Sequence, residues 1–137
     1  MEHLVSRPYV QARWIVVLLF GITCMASLNY NGPFFDEGIY VTAGIRSLEV
    51  HALTDRYLTW FGGSLAWPVI AGLFYRAGGI VGTRAAAAVL GIGTLAAVGR
   101  AAANLFGEKA GFWTTLALAL NGPFLALSRL GAYDILA

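Results

Sequence analysis

The longest uncharged stretch of this sequence runs from Trp14 through Phe35, and three further apolar segments follow it. A run of about 20 apolar residues at helical rise matches the hydrocarbon thickness of a bilayer. Hydrophobic residues make up 58% of the chain and charged residues 12%, against roughly 25% charged residues in soluble domains. Because such a chain cannot cover itself with a polar surface, we expect an integral membrane protein.

The four apolar segments differ in how clearly they resemble membrane spans. They are Trp14 to Asn29, Tyr57 to Tyr75, Ala85 to Ala103 and Ala110 to Ser128. The second contains Gly62, Gly63 and Pro68, which weaken a helix, and tryptophans of the kind that settle at a membrane interface. This segment either spans the membrane or lies along its surface, and the distribution of basic residues does not separate the two alternatives.

The first apolar segment is predicted to be a retained anchor. It follows a polar start that carries Arg7 and Arg13, and it is too long for the apolar part of a usual signal peptide. We therefore expect the basic N-terminus in the cytoplasm. The nine basic residues are scattered along the chain, so nucleic acid is excluded as a partner.

A short amphipathic helix is predicted after Pro33, which cannot continue a helix. Apolar residues recur there at helical spacing on one face, and polar residues occupy the other. The apolar positions are Val41, Ile45, Leu48 and Ala52, and the polar ones are Thr42, Arg46 and Glu49. A helix of this kind is suited to the membrane interface.

The last two segments are rich in alanine and glycine, which let membrane helices approach closely. The turn Phe106-Gly107-Glu108-Lys109 between them is short, so we expect an antiparallel hairpin. The predicted fold is therefore an all-α integral membrane region over residues 1–137. It consists of an N-terminal transmembrane helix, an external loop with amphipathic interfacial helices, the transmembrane hairpin and the start of a further helix.

Asp36 and Glu37 are the first candidates for chemistry, since two adjacent carboxylates at a membrane boundary can activate an acceptor, with the second tuning the first or holding a cation. The alternative is structural: Asp36 is an N-cap and Glu37 a favourable charge in the first helical turn. Arg129 and Asp134 form the second pair, in which Arg129 faces a lipid phosphate. Their structural alternatives are a headgroup anchor and a helix cap.

Other classes of site are absent from the sequence. His3 and His51 are far apart and have no nearby cluster of ligands, so a histidine metal site is not expected. No glycine-rich phosphate loop is present, because Gly91 and Gly93 lie inside an apolar segment.

The order of the motifs resembles the N-terminal part of the GT-C glycosyltransferases. A first membrane helix is followed by Phe35-Asp36-Glu37-Gly38-Ile39-Tyr40, by Trp67-Pro68 in an interfacial stretch, by a helix that begins at Arg84, by Leu105-Phe106-Gly107 and by Ser128-Arg129-Leu130-Gly131-Ala132-Tyr133-Asp134. The chain is most similar to the protein O-mannosyltransferases and the lipid A aminoarabinose transferases within that superfamily.

The resemblance implies a reaction and roles for three residues. Asp36 would be the catalytic base, Glu37 its neighbour in the active site, and Asp134 a second acid that faces the same cavity. The donor would be a sugar on a polyprenyl phosphate, and the acceptor would lie on the outer side of a bacterial plasma membrane. The resemblance assigns no particular cofactor and leaves a divalent cation open. The resemblance also favours the interfacial alternative for Tyr57 to Tyr75.

Family members are several times longer than 137 residues, so the resemblance implies an N-terminal fragment that lacks C-terminal or partner helices and is inactive alone. Two other hypotheses remain open. One is a small noncatalytic helical membrane subunit, for which Gly91→Leu would disrupt assembly. The other is a fragment of a transporter, in which charges inside the spans would mark the transport path.

Overall fold

The computed structural model describes residues 2–29, 32, 34–50 and 66–131. Every regular element within these ranges is a helix, which confirms the predicted all-α class for this part of the chain. The elements are α1 (Glu2–Ala26), α2 (Phe35–Val50), α3 (Ala66–Phe106), α4 (Glu108–Ala119) and α5 (Gly122–Leu127). Two of them, α1 with the stretch Arg7–Ala26 and α3, are long and apolar enough by length and composition to cross a membrane.

Helix α3 reverses direction at two glycines. Gly78 has φ −153° and ψ 21°, and Gly79 has φ 62° and ψ −152°, a conformation that side chains with a Cβ rarely adopt. Beyond the reversal, the Thr83 hydroxyl donates a hydrogen bond of 3.1 Å to the Ala71 carbonyl. The helix therefore consists of a short arm, residues 66–77, that folds back on a long arm, residues 80–106.

The short arm does not carry the chain to the opposite end of the bundle. Twelve residues at a rise of about 1.5 Å reach roughly 18 Å, well below the thickness of a bilayer core. The part of the predicted segment Tyr57 to Tyr75 that precedes Ala66 lies outside the described residues. Its described part is a helix that runs beside the start of the long arm.

Helix α1, the long arm and α4 form the main bundle. At one end the Arg84 side chain bonds to the carbonyl of Leu28, and at the other the Arg13 side chain bonds to Glu108 at the start of α4. We call these the Arg84 end and the Arg13 end. The core between α1 and the long arm contains Val17, Phe20, Cys24, Ala88 and Leu95.

The long arm and α4 pack antiparallel, as predicted for the last two segments. The transmembrane character of this hairpin stays a prediction, because α4 has 12 residues. A Cβ on Gly99 would meet the Thr115 side chain, and a Cβ on Gly111 would lie 2.6 Å from that of Ala103. These pairings run in opposite directions along the two helices. Gly107 makes the turn with φ 88°.

The predicted single segment Ala110 to Ser128 is wrong, because two helices occupy it. Helix α4 ends at Ala119, and α5 begins at Gly122. The Asn121 side chain accepts a hydrogen bond of 2.9 Å from the Phe124 N–H, which caps α5, and Pro123 follows in its first turn. A proline in that place lacks an N–H and cannot continue the preceding helix.

Helix α2 has the predicted apolar and polar faces over its described residues and packs across the short arm of α3. Ala52 of the predicted apolar face lies outside the described residues, and the interfacial position of the helix stays a prediction. Its Val41 side chain is buried against Trp67 and Ala71, whereas Thr42 and Arg46 are exposed. Trp67, predicted to settle at the interface, is fully buried instead. Burial is possible because its indole N–H has a hydrogen-bond acceptor within the fold.

Candidate functional site

Arg84 is the hub of a buried polar network at the Arg84 end. It is the first charged residue of the long arm and is 2% exposed. Its Nη1 donates to the Leu28 carbonyl and its Nη2 to the Gly32 carbonyl, both at 2.9 Å. The guanidinium therefore joins the start of the long arm to the segment that follows α1.

Glu37 is the carboxylate partner of Arg84. Arg84 Nε donates to Glu37 Oε1 at 2.9 Å, and Arg84 Nη2 donates to Glu37 Oε2 at 2.8 Å. This two-point arrangement is the strongest geometry available to an arginine and a carboxylate. Glu37 is 1% exposed, so the ion pair is withdrawn from solvent.

Two backbone N–H groups complete the coordination of the Glu37 carboxylate. Phe34 donates to Oε2 at 2.9 Å, and Gly131 donates to Oε1 at 2.8 Å. Phe34 holds the cap position of α2, so Glu37 reaches back from the first turn to the cap as in a capping box. With four hydrogen bonds, both carboxylate oxygens are saturated.

The charge of Glu37 follows from the same contacts. Burial alone would raise the pKa of this carboxyl. The hydrogen bonds from Arg84, Gly131 and Phe34 and the charge of Arg84 outweigh burial, so the pKa lies below its usual value. Glu37 is therefore an ionised, fully bonded group, and the carboxylate has no lone pair left for a metal ion. Its predicted membership of the catalytic pair stays a prediction.

Gly131 ties the end of the described chain to the network. Its N–H donates to Glu37, and its carbonyl accepts a hydrogen bond of 3.1 Å from the Trp67 indole. A Cβ on this glycine would lie 2.7 Å from the Thr83 Cγ2, so the segment is packed closely against the long arm. The network thus holds four separate parts of the chain together.

Asp36 lies at the edge of this network, in the first turn of α2. Its side chain is exposed and makes no hydrogen bond or ion pair with any other described residue. The alternative interpretation of Asp36 as an N-cap is wrong, because α2 begins at Phe35 and the Phe34 carbonyl accepts the first helical hydrogen bond, from Gly38. The result is a free carboxylate beside a rigid support.

The second predicted pair is described in part. Arg129 is half-buried just after α5, and its side chain forms no hydrogen bond or ion pair with the described residues. Ser128 beside it packs on Gly91, where a Cβ would clash with the Ser128 hydroxyl. Asp134 lies outside the described residues, so the structure does not test whether it approaches Asp36.

Gly91 therefore has a role within the chain. Because Ser128 occupies the space in front of it, Gly91→Leu would disturb the packing of this chain before any assembly with a partner. That substitution does not test the hypothesis of a helical subunit.

Among the described residues, no group of three or more His, Cys, Asp or Glu side chains is placed to hold a metal ion.

Neither a protein-family model, nor a curated protein, nor a solved structure matches this chain.

Proposed function

We propose that this chain is the N-terminal part of a membrane glycosyltransferase of the GT-C type, which transfers a sugar from a polyprenyl phosphate to an acceptor on the outer side of the membrane. The observation that carries the proposal is the exposed carboxylate of Asp36 beside the buried pair of Glu37 and Arg84. A general base has to be accessible to its acceptor and held in one position, and this arrangement meets both requirements.

Insertion in a membrane is supported by where the charges lie. Between Arg13 and Arg84 the bundle carries no charged side chain on α1 or on the facing part of the long arm. The two arginines are about 24 Å apart along the helices, close to the roughly 30 Å of a bilayer core. Large exposed apolar side chains surround this zone, among them Ile15, Leu18, Ile22 and Val89.

In the proposed reaction Asp36 takes the proton of the acceptor hydroxyl while the acceptor oxygen attacks the anomeric carbon. The bond between that carbon and the phosphate oxygen breaks, and the polyprenyl phosphate leaves as an anion with inversion at the anomeric carbon. Arg129, a half-buried cation at the Arg84 end, binds the phosphate, since guanidinium matches phosphate oxygens in two-point contacts. Asp134 is assigned to the same cavity by the resemblance alone.

Glu37 and Arg84 act through position in this proposal. Their ion pair fixes the segment before α2 and the first turn of that helix, so Asp36 projects from a rigid support. Gly131 is bound to the same carboxylate, two residues after Arg129. The protein groups that bind the acceptor and the donor would therefore be held in a fixed relative position. Such alignment of two substrates is a major part of catalysis.

Sidedness is the first test of the proposal. In a Cys24→Ala background, single cysteines replace Phe35, which is 81% exposed at the Arg84 end, and Lys109, exposed at the Arg13 end. A membrane-impermeant maleimide is expected to label Phe35→Cys in intact cells and Lys109→Cys after permeabilisation of the inner membrane. The opposite pattern would place Asp36 in the cytoplasm and contradict an outward-facing site.

Activity is tested by the release of free polyprenyl phosphate from a panel of polyprenyl-phosphate sugars. Because the resemblance covers the first part of longer enzymes, the assay uses the longest natural polypeptide that contains this chain. Asp36→Asn is expected to lower the rate by a factor of about 10²–10⁴, the usual contribution of a general base. Glu49→Gln is the matched control, because Glu49 is another exposed carboxylate of α2, and it is expected to retain the parental rate.

Equal rates for Asp36→Asn and the parent protein would refute the role of Asp36. They would favour the noncatalytic subunit, for which the structure offers a specific surface. Gly93, Ala97 and Ala101 form an exposed row of small residues on the long arm, and a Cβ on Gly93 would meet open space. Rows of this kind let membrane helices pack closely.

A further inference from the structure

A second group of charges lies at the Arg13 end, far from Asp36. Arg13 Nη1 donates to Glu108 Oε2 at 2.8 Å, and Arg100 Nη1 lies 3.7 Å from Glu108 Oε1. One carboxylate oxygen of Glu108 thus faces Arg13, and the other faces Arg100. This group of three side chains carries one net positive charge, and Lys109 beside it adds another.

Arg13 is the buried member of the group. It is 2% exposed, and its Nη2 is shielded from solvent and has no hydrogen-bond partner among the described residues. A buried guanidinium normally satisfies its donors, so one nitrogen of Arg13 lacks the acceptor that burial normally requires. The side chain lies against the first turn of α4, where a Cβ on Gly111 would be 2.9 Å from Arg13 Nη1.

The first turn of α4 is an open helix start. Gly107 holds the cap position, and no side chain of the described residues accepts a hydrogen bond there. The first N–H groups of a helix have no partner within it, and they carry the positive end of the helix dipole. Together with Arg100, Lys109 and the unsatisfied donor of Arg13, they favour an anion.

Aromatic side chains place this charge group at the level of lipid headgroups. The Arg13 guanidinium carbon lies 5.9 Å from the ring centroid of Trp14, and Trp14 is 52% exposed. Trp113 is 55% exposed on α4, next to Phe112, which contacts Tyr9. Tryptophan and tyrosine gather at membrane interfaces, where the phosphates of phospholipids lie.

We propose that the start of α4, with Arg100 and Lys109, binds the phosphate of an anionic phospholipid headgroup. Arg100 is 60% exposed and can form the two-point contact that phosphate favours, and Lys109 is exposed beside it. Arg13 is too deeply buried to touch the lipid, and it contributes through its charge, which a low-dielectric surrounding screens weakly. The proposal rests on the membrane insertion argued above and is independent of any role for Asp36.

The test compares phosphatidylglycerol with phosphatidylcholine, each added to the purified chain in detergent. Phosphatidylglycerol is expected to raise the melting temperature and to remain bound in native mass spectra, whereas phosphatidylcholine does neither. In Arg100→Gln, we expect most of the rise in melting temperature and most of the retained lipid to be lost. Arg46→Gln removes an exposed arginine of α2 instead and is expected to retain both.

Equal retention of phosphatidylglycerol by Arg100→Gln and the parent chain would overturn the site, as would an equal loss in Arg46→Gln. Inorganic phosphate at the same concentration separates the two sources of the anion. If inorganic phosphate raised the melting temperature as much as the lipid does, the ligand would be a soluble phosphate and the lipid proposal would be wrong. Asp36→Asn is expected to bind phosphatidylglycerol normally. A failure of the lipid proposal would therefore not affect the glycosyltransferase proposal, and a failure of the glycosyltransferase proposal would not affect the lipid proposal.

Discussion

Arg84→Met is expected to lower the free energy of unfolding by about 3–5 kcal/mol, the usual cost of removing one partner of a buried ion pair. The substitution leaves the Glu37 carboxylate charged and 1% exposed, with its two backbone donors as its remaining partners. It also deprives the carbonyls of Leu28 and Gly32 of their donors. For a chain of this length the melting temperature should fall by about 10–20 °C in detergent.

Arg76→Met is the matched control for Arg84→Met. Arg76 pairs with Glu49 at 2.7 Å, but both side chains are about half exposed. An exposed ion pair contributes at most about 1 kcal/mol, so this variant should melt close to the parent chain. Similar melting temperatures for the two variants would show that the Glu37–Arg84 pair does not organise the Arg84 end. Adding Glu37→Leu to Arg84→Met should recover part of the loss, because the unpaired charge is then removed.

Gly44→Ala is the second substitution with a large expected effect. A Cβ on Gly44 would clash with the Pro68 carbonyl oxygen and would lie 2.7 Å from its carbonyl carbon. These are backbone atoms, so no side-chain rotation relieves the contact, and α2 must move away from the short arm. We expect a loss of at least about 3 kcal/mol, the upper end of the cost of overpacking a core, measured by thermal unfolding in detergent.

Gly38→Ala is the control on the same helix. Nothing lies within 4 Å of a Cβ at Gly38. Alanine is favoured over glycine inside a helix by up to about 1 kcal/mol, so this variant should be as stable as the parent chain or more stable. A melting temperature for Gly44→Ala equal to that of Gly38→Ala would mean that α2 and the short arm do not touch at Gly44.

Several elements could be predicted from the residues alone. The apolar face of α2 follows from the spacing of Val41, Ile45 and Leu48, because helical periodicity is a local property of the chain. The hairpin between the long arm and α4 follows from a short turn between two apolar segments that are rich in small residues. The break inside the fourth predicted segment is missed, although Asn121, Gly122 and Pro123 carry the signal for it.

The ion pair of Arg84 with Glu37 is not predicted from the sequence, in which Arg84 indicates no more than the start of a helix. One signal was present: a charged residue directly before a long uncharged run normally has a partner, and the acids of α2 were candidates. The choice between Asp36 and Glu37 was not available from spacing, since they are neighbours in sequence. It depends on helix rotation, which turns Glu37 towards Arg84 and leaves Asp36 exposed.

The sequence by itself determined that this chain is helical, that it contains apolar segments long enough for a bilayer, and that charges collect at the ends of those segments. These properties depend on composition and on periodicities within single segments. The tertiary structure decided which carboxylate is bound and which is free, and it brought Gly131 to Glu37 across 94 positions of the chain. It did so because α4 and α5 run back along the long arm after the turn at Gly107, to the end where Arg84 binds Glu37. Contacts between distant segments have no counterpart in local sequence patterns.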